Sequence, residues 1–341
     1  MLEFYLFCHA EDLFENTISA FFMLIRAAVL HLHSCDIMKY DRSKVKITKT
    51  EQDILEGFVR TSGGQVWFKI VGTDKEKTPF LLLHGGPGAC HDYFEPLIAL
   101  SDERPVIFYD QLGCGNSDKP DDMSLYSVEN YVKEVGEVRD ALGLSEVYIL
   151  GQSWGGGLMA AYASSKGADG IKGLIFSSPL ISTDKWIFDQ KSYLSELPEY
   201  IQKSVRIAEE TGVYDSADYK KAMDEYYRLH ICRLSPWPQI LVESFEKTSI
   251  AVYMHMWGPS EFTCTGTLKS FDMTKNLKTI SQPALFLCGE YDEAKPQTMK
   301  YFKNILPGSK LAIISDASHM THLEKTDESL NVLRKFMRAC D

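Results

Sequence analysis

A chain of 341 residues can hold one large α/β domain with an inserted subdomain. Its formal net charge of −11 gives a nucleic-acid partner no electrostatic support, whereas an acidic surface suits a cationic substrate. Its eight cysteines include no CxxC pair, so neither a zinc site nor a disulfide framework is signalled, and reduced thiols in a cytoplasmic protein are expected.

The chain opens with a stretch unlike the rest. Residues 17–32, TISAFFMLIRAAVLHL, are apolar but carry Arg26 and are short for a bilayer span. Glu3, Glu11, Asp12 and Glu15 precede them, where a secretory signal has positive charge. The expectation is a native start near Met38, with residues 1–37 an extension outside the fold and no stable membrane association.

From Gln65 onward, short apolar runs alternate with amphipathic stretches, the pattern of βαβ units. The predicted strands are QVWFKIVG (65–72), FLLLHG (80–85), VIFYD (106–110), VYILG (147–151), GLIFSS (173–178), ALFLCG (284–289) and KLAIIS (310–315). Several are almost continuously apolar, as strands covered on both faces of a parallel sheet must be. Between them, residues 127–143 space Val128, Tyr131, Val132, Val135 and Val138 along one helical face, with Ser127 as N-cap and Gly143 as stop. Residues 323–339 read as a closing amphipathic helix. The strand rhythm breaks over residues 181–261, which have helical spacing and many aromatic and charged residues. Residues 44–180 and 262–341 are therefore expected to form an α/β core, and 181–261 a helical cap. No internal repeat or low-complexity tract interrupts this order.

Gly151-Gln152-Ser153-Trp154-Gly155 lies between the strand VYILG and a predicted helix. A serine projecting from a strained turn at a strand end needs glycine on both sides. A hydroxyl nucleophile also needs a base, and the base needs a group to orient it. In the chain order of such folds the acid is Asp292, just past ALFLCG, and the base His319, just past KLAIIS. Asp316 and His322 are the rival acid and base. His84-Gly85-Gly86-Pro87-Gly88 follows FLLL without phosphate-loop spacing. It suits an oxyanion hole made by the amide of Trp154 together with that of Gly85 or Gly86.

With HGGPG (84–88), DQLGCGNSD (110–118), GQSWGG (151–156), GEYDE (289–293) and Ser318-His319, the sequence resembles the proline iminopeptidases of the α/β-hydrolase superfamily. It is similar to the smaller members, the tricorn-interacting aminopeptidase and amino-acid amidases among them, over roughly residues 50–340. The resemblance implies an α/β-hydrolase fold with a mostly parallel sheet and an inserted cap. It also implies a serine aminopeptidase acting without metal or organic cofactor on short peptides or amino-acid amides with a free N-terminus. Two carboxylates, here Glu261 and Glu293, would hold the substrate ammonium, and Tyr253 would face it. Bacterial members usually read DQRGxGxS, whereas position 112 here is Leu, which puts strict proline preference in doubt. A different hydrolase on the same triad (an esterase, lactonase or C–C hydrolase) is the alternative, and a non-catalytic receptor a third. All three triad members are present, against the receptor.

Overall fold

Strands covered on both faces must be apolar at nearly every position, and four here are buried throughout: β4 (Phe80–Leu83), β5 (Val106–Tyr109), β6 (Val147–Gln152) and β8 (Ala284–Gly289). The computed structural model describes residues 40–51, 53–165 and 169–341, so the expectations for residues 1–37 lie outside it. With β1 (Val45–Glu51), β2 (Ile54–Arg60), β3 (Gln65–Val71), β7 (Ile171–Ser177) and β9 (Lys310–Ile314), these strands form one nine-stranded sheet. The order is β1-β2-β3-β5-β4-β6-β7-β8-β9. β1, β2 and β3 pair antiparallel, as do β3 and β5; every pairing from β5 to β9 is parallel.

All seven predicted strands are present within a residue or two of their expected ends. The first two strands were not expected. β1 is an edge strand of mostly exposed residues, and β2 buries only Leu55, Gly57 and Val59 in alternation. Neither offers the apolar run that revealed the others.

Side chains alternate across the sheet, and each face has its own core. Leu81, Leu83, Ile107, Ile149 and Phe176 pack with the helices Val128–Ala141, Trp154–Ala163 and Pro296–Ile305. Phe80, Leu82, Phe108, Leu150 and Ile175 pack with Phe94 and Leu97 on one side of the chain and Leu333 and Phe336 of the closing helix on the other. The expected N-cap holds: the Ser127 hydroxyl accepts from the Asn130 amide, and the helix stops at Ala141 before Gly143 at φ 69°. The closing helix differs from expectation. Lys325, at φ −138°, divides it into Thr321–Glu324 and Thr326–Arg338.

Between β7 and β8 stand five helices: Thr183–Glu196, Glu199–Thr211, Ala217–His230, Gln239–Glu246 and Ile250–Met256. Two of them, Glu199–Thr211 and Ala217–His230, share a small core of Ile201, Val205, Ala208, Tyr219, Ala222, Met223 and Tyr226. Phe262, expected with the sheet, packs into that helical core instead. The layer is tied down where the Ser249 amide donates to the Gly88 carbonyl at 2.7 Å and Lys247 pairs with Asp92 at 3.1 Å. Among the described residues, no helix is long and apolar enough to cross a membrane.

β5 leaves β4 on one side and β6 flanks it on the other. The loops after β4 and β6 therefore part at a crevice above the strand ends, where ligands bind in open α/β sheets. Packing beneath that crevice rests on Phe176, fully buried and stacked on Phe286 with ring centres 4.8 Å apart. Phe176→Ala is expected to lower stability by about 3–5 kcal/mol in denaturant titration, through lost transfer energy and an unfilled cavity.

Candidate active site

β6 ends in a backbone that few residues tolerate. Ser153 sits at φ 55° and ψ −120°, a conformation costing a non-glycine residue about 1–3 kcal/mol. The surroundings enforce it: the Ser153 amide donates to the Ser177 carbonyl at 3.1 Å, and its own carbonyl accepts from Gly156 and Leu180, both at 2.9 Å. The flanking glycines are obligatory. A Cβ on Gly155 would stand 2.1 Å from the Leu83 carbonyl oxygen, and one on Gly151 2.2 Å from that of Gly155. The serine side chain is thus delivered to the crevice at the start of the helix Trp154–Ala163.

The loops beside it are held by the DQ pair. Asp110, fully buried, accepts from the His91 amide and ring at 2.8 Å each and from the Asn116 amide at 2.8 Å. Gln111 spans the site: its amide donates to His84 Nε2 at 3.0 Å, its side-chain nitrogen to the His84 carbonyl at 2.8 Å, and its side-chain oxygen accepts from the Trp154 indole at 3.0 Å. Burial pushes His84 down to about 4, so it is neutral, with Nδ1–H directed at the Gly85 carbonyl and Nε2 accepting. The Gly85 amide is not open to a substrate, because it donates to the Tyr93 hydroxyl at 2.7 Å, which in turn donates to Gln152 at 2.9 Å. This corrects the choice left between the two loop glycines. Among the described residues, the amides of Gly86 and Trp154 have no protein acceptor.

Asp292 and His319 meet as the chain order predicted. His319 Nδ1 lies 2.8 Å from Asp292 Oδ1, and the fully buried carboxylate is saturated by the amides of Ala294 at 2.9 Å and Gly289 at 3.1 Å and by the Ser178 hydroxyl. The turn carrying His319 is fixed by Glu324, which accepts from the Ser318 amide at 3.0 Å, the Ser318 hydroxyl at 2.8 Å and the Arg233 amide at 2.9 Å. The rivals are elsewhere. His322 is buried with Nε2 on the Tyr93 carbonyl at 3.0 Å, and burial pushes it down to about 4; Asp316 is exposed and pairs with Lys325 at 3.0 Å.

Ser153, His319, Glu261 and Glu293 line one cavity of about 280 Å³, walled by Trp186, Tyr219, Met223, Tyr227, Phe245 and Trp257. No lysine or arginine is among its described lining residues. Glu261 comes from the segment after the last of the five helices, and its Oε1 accepts from Tyr253 at 2.6 Å and Tyr227 at 3.0 Å. Tyr253 therefore orients a carboxylate rather than standing free. Glu293 comes from the loop after β8. It is 4% exposed, and its Oε2 has no partner. Burial pushes the pKa of both glutamate carboxyls above the usual range, making them weaker acids. Burial opposes charge on His319 too, but Glu293, Asp292 and Glu261 outweigh it and hold the imidazole up at about 9. Its Nε2 looks onto Glu293 Oε1 at 3.5 Å, and among the described residues the Ser153 hydroxyl makes no hydrogen bond.

Tyr227, Ser178, Gln190 and Tyr93 were not anticipated. Gln190 supports Glu293 by donating to its carbonyl at 3.1 Å, and is itself held by Tyr226. All four act across long stretches of chain, with no spacing to betray them. The strained serine, by contrast, is foretold by its two glycines.

The α/β-hydrolase fold family matches residues 78–326. A proline iminopeptidase of Heyndrickxia coagulans is 41% identical over 285 residues, 83% of this chain and 99% of the relative. Among solved structures, a proline iminopeptidase of Mycobacterium smegmatis superposes with a TM-score of 0.78 at 32% identity, over 84% of this chain and 98% of that one. VinJ superposes with a TM-score of 0.80 at 30% identity, over 84% and 99%. The chain belongs to the proline iminopeptidase family of α/β-hydrolases.

Proposed function

We propose that this hydrolase is a serine aminopeptidase releasing proline or another apolar first residue from short peptides or amino-acid amides. The observation that carries this reading is the pair of glutamates beside Ser153 in a cavity otherwise walled by aromatic and apolar side chains. A desolvated ammonium needs fixed negative charge, and two carboxylates can take one cation while a blocked terminus offers none. The aromatic wall suits an apolar residue carried on that ammonium. The relatives named proline iminopeptidase support the same assignment.

In the mechanism that follows, Ser153 attacks the carbonyl of the first residue, and His319 Nε2 accepts its proton and passes it to the leaving amine. Asp292 on Nδ1 sets the tautomer and stabilises the imidazolium. The amides of Gly86 and Trp154 receive the developing oxyanion. Water then resolves the acyl-enzyme by the same route. Residues 181–261 act as a cap over residues 44–180 and 262–341, limiting substrate length and excluding water. The six described cysteines are all free thiols and five are buried, which favours a cytoplasmic setting.

Leu112 has no part in this cavity. Its side chain is buried against Gly63, where an added Cβ would lie 2.6 Å from Leu112 Cδ2, and its amide donates to the buried Glu134 carboxyl at 3.2 Å. The departure from the bacterial motif at position 112 therefore lies outside the residues that line the cavity.

Ser153→Ala is expected to remove hydrolysis by several orders of magnitude with the fold intact, because the triad acts as a unit. A serine-reactive phosphonate should label the wild type at Ser153, and labelling elsewhere would defeat the assignment. Glu261→Gln should cost about 2–5 kcal/mol on aminoacyl anilides, roughly 30-fold to several thousand-fold in kcat/KM, with little change on a neutral nitrophenyl ester. Equal loss on both substrates, or none, would favour a general esterase. Leu112→Ala should cost about 2–4 kcal/mol of stability and leave the ranking of first residues on an anilide panel unchanged.

A further inference from the structure

The nitrogen that must take the Ser153 proton is, in this structure, turned toward a carboxylate. His319 Nε2 and Glu293 Oε1 are 3.5 Å apart, while the other Glu293 oxygen is buried without a partner. Both side chains are almost wholly buried, so water contributes little screening between them. Nδ1 already gives its proton to Asp292. A proton on Nε2 would then make His319 a cation facing Glu293, whose attraction opposes the pull of burial toward the uncharged carboxyl and leaves the imidazole useless as a base.

We propose, resting on the aminopeptidase reading, that Glu293 holds His319 protonated in the empty enzyme and that the substrate ammonium releases it. A cation arriving between Glu293 and Glu261 takes over the carboxylate that stabilised the imidazolium. The Nε2 proton leaves to solvent, and the neutral nitrogen can accept from Ser153. Amine recognition and activation of the base become one event, so a substrate without a free amine meets an enzyme whose base is mostly occupied. Selectivity for a free terminus is then expressed in the reactivity of Ser153 as well as in affinity.

The groups facing His319 are few. Asp292 and Glu293 come from the loop after β8, Glu261 from the end of the cap, and His322 from the following turn, neutral through burial. The edge of Trp186 covers the ring at 5.8 Å, and His230 meets it through a backbone carbonyl that accepts the His319 amide at 3.2 Å. Tyr253 and Tyr227 donate to Glu261 and stay neutral. Of these, Glu293 alone is both close to Nε2 and able to switch partner.

The test is a pair of pH profiles on the wild-type enzyme, with a neutral nitrophenyl ester and a prolyl anilide. For the ester, kcat/KM reports the free enzyme. Because the imidazolium is favoured, activity should be absent at low pH and rise only as the proton is lost, with a midpoint at least about one unit above the 6.5 of an ordinary histidine. For the anilide, kcat reports the occupied enzyme, and its midpoint should fall at least about one unit below the ester value. Glu293→Gln should bring the ester midpoint down toward about 6.5 and raise ester turnover at pH 7 about tenfold or more, while weakening anilide hydrolysis. If the ester midpoint lies near that of an ordinary histidine, or is the same in Glu293→Gln, the gate is absent and Glu293 only binds or packs. The ester arm decides this without any peptide, so it stands apart from the aminopeptidase reading, which fails if free anilides are hydrolysed no faster than acetylated ones.

Discussion

Ser153 keeps its backbone at φ 55° and ψ −120° only because Gly155 can lie against the Leu83 carbonyl, where any larger residue would collide. That one close approach sets β4 and β6 in register at their ends, and much of the site follows from it. It brings the loop after β4 beside the serine, so Gly86 and Ser153 line the same cavity. Gln111 then ties both loops together through His84 and Trp154, which converts a strained turn into a rigid one. The sheet's apolar core resists relaxation of that strain, since β4 and β6 are buried at every position.

Charge is distributed as deliberately as shape. Asp292 has its lone pairs occupied by two amides, a hydroxyl and an imidazole, and so is fixed in position. Glu261 is held by two tyrosines and Glu293 is half unpartnered, so the pair is the incomplete part of the site. An incomplete buried carboxylate is unfavourable in the empty protein and becomes favourable only when a cation arrives. On the aminopeptidase reading, lower stability there is exchanged for selectivity.

Much of this was legible in the sequence, and the remainder was hidden for identifiable reasons. Buried parallel strands announce themselves as apolar runs, while β1 and β2, exposed or half-covered, do not. Ser153, Asp292 and His319 follow from strand ends and chain order. The glutamate pair came from resemblance, because nothing in the local pattern of residues 257–266 marks Glu261 as facing a serine more than a hundred residues earlier. Tyr227, Gln190 and Ser178 were invisible, since each acts through a partner set by tertiary packing. Gly85 and Gly86 could not be told apart without seeing Tyr93 occupy one amide.

The cavity's lack of any lysine or arginine bears on how a turnover ends. On the aminopeptidase reading, hydrolysis turns a neutral carbonyl into a carboxylate in a cavity already lined by Glu261 and Glu293. The released amino acid would keep the ammonium that drew it in but acquire a negative charge facing Glu261 and Glu293, with His319 the one cationic side chain among the described lining residues to meet it. Its grip is therefore weaker than that of the substrate it came from. On the aminopeptidase reading, the walls that select the incoming chain would also favour departure of the outgoing residue.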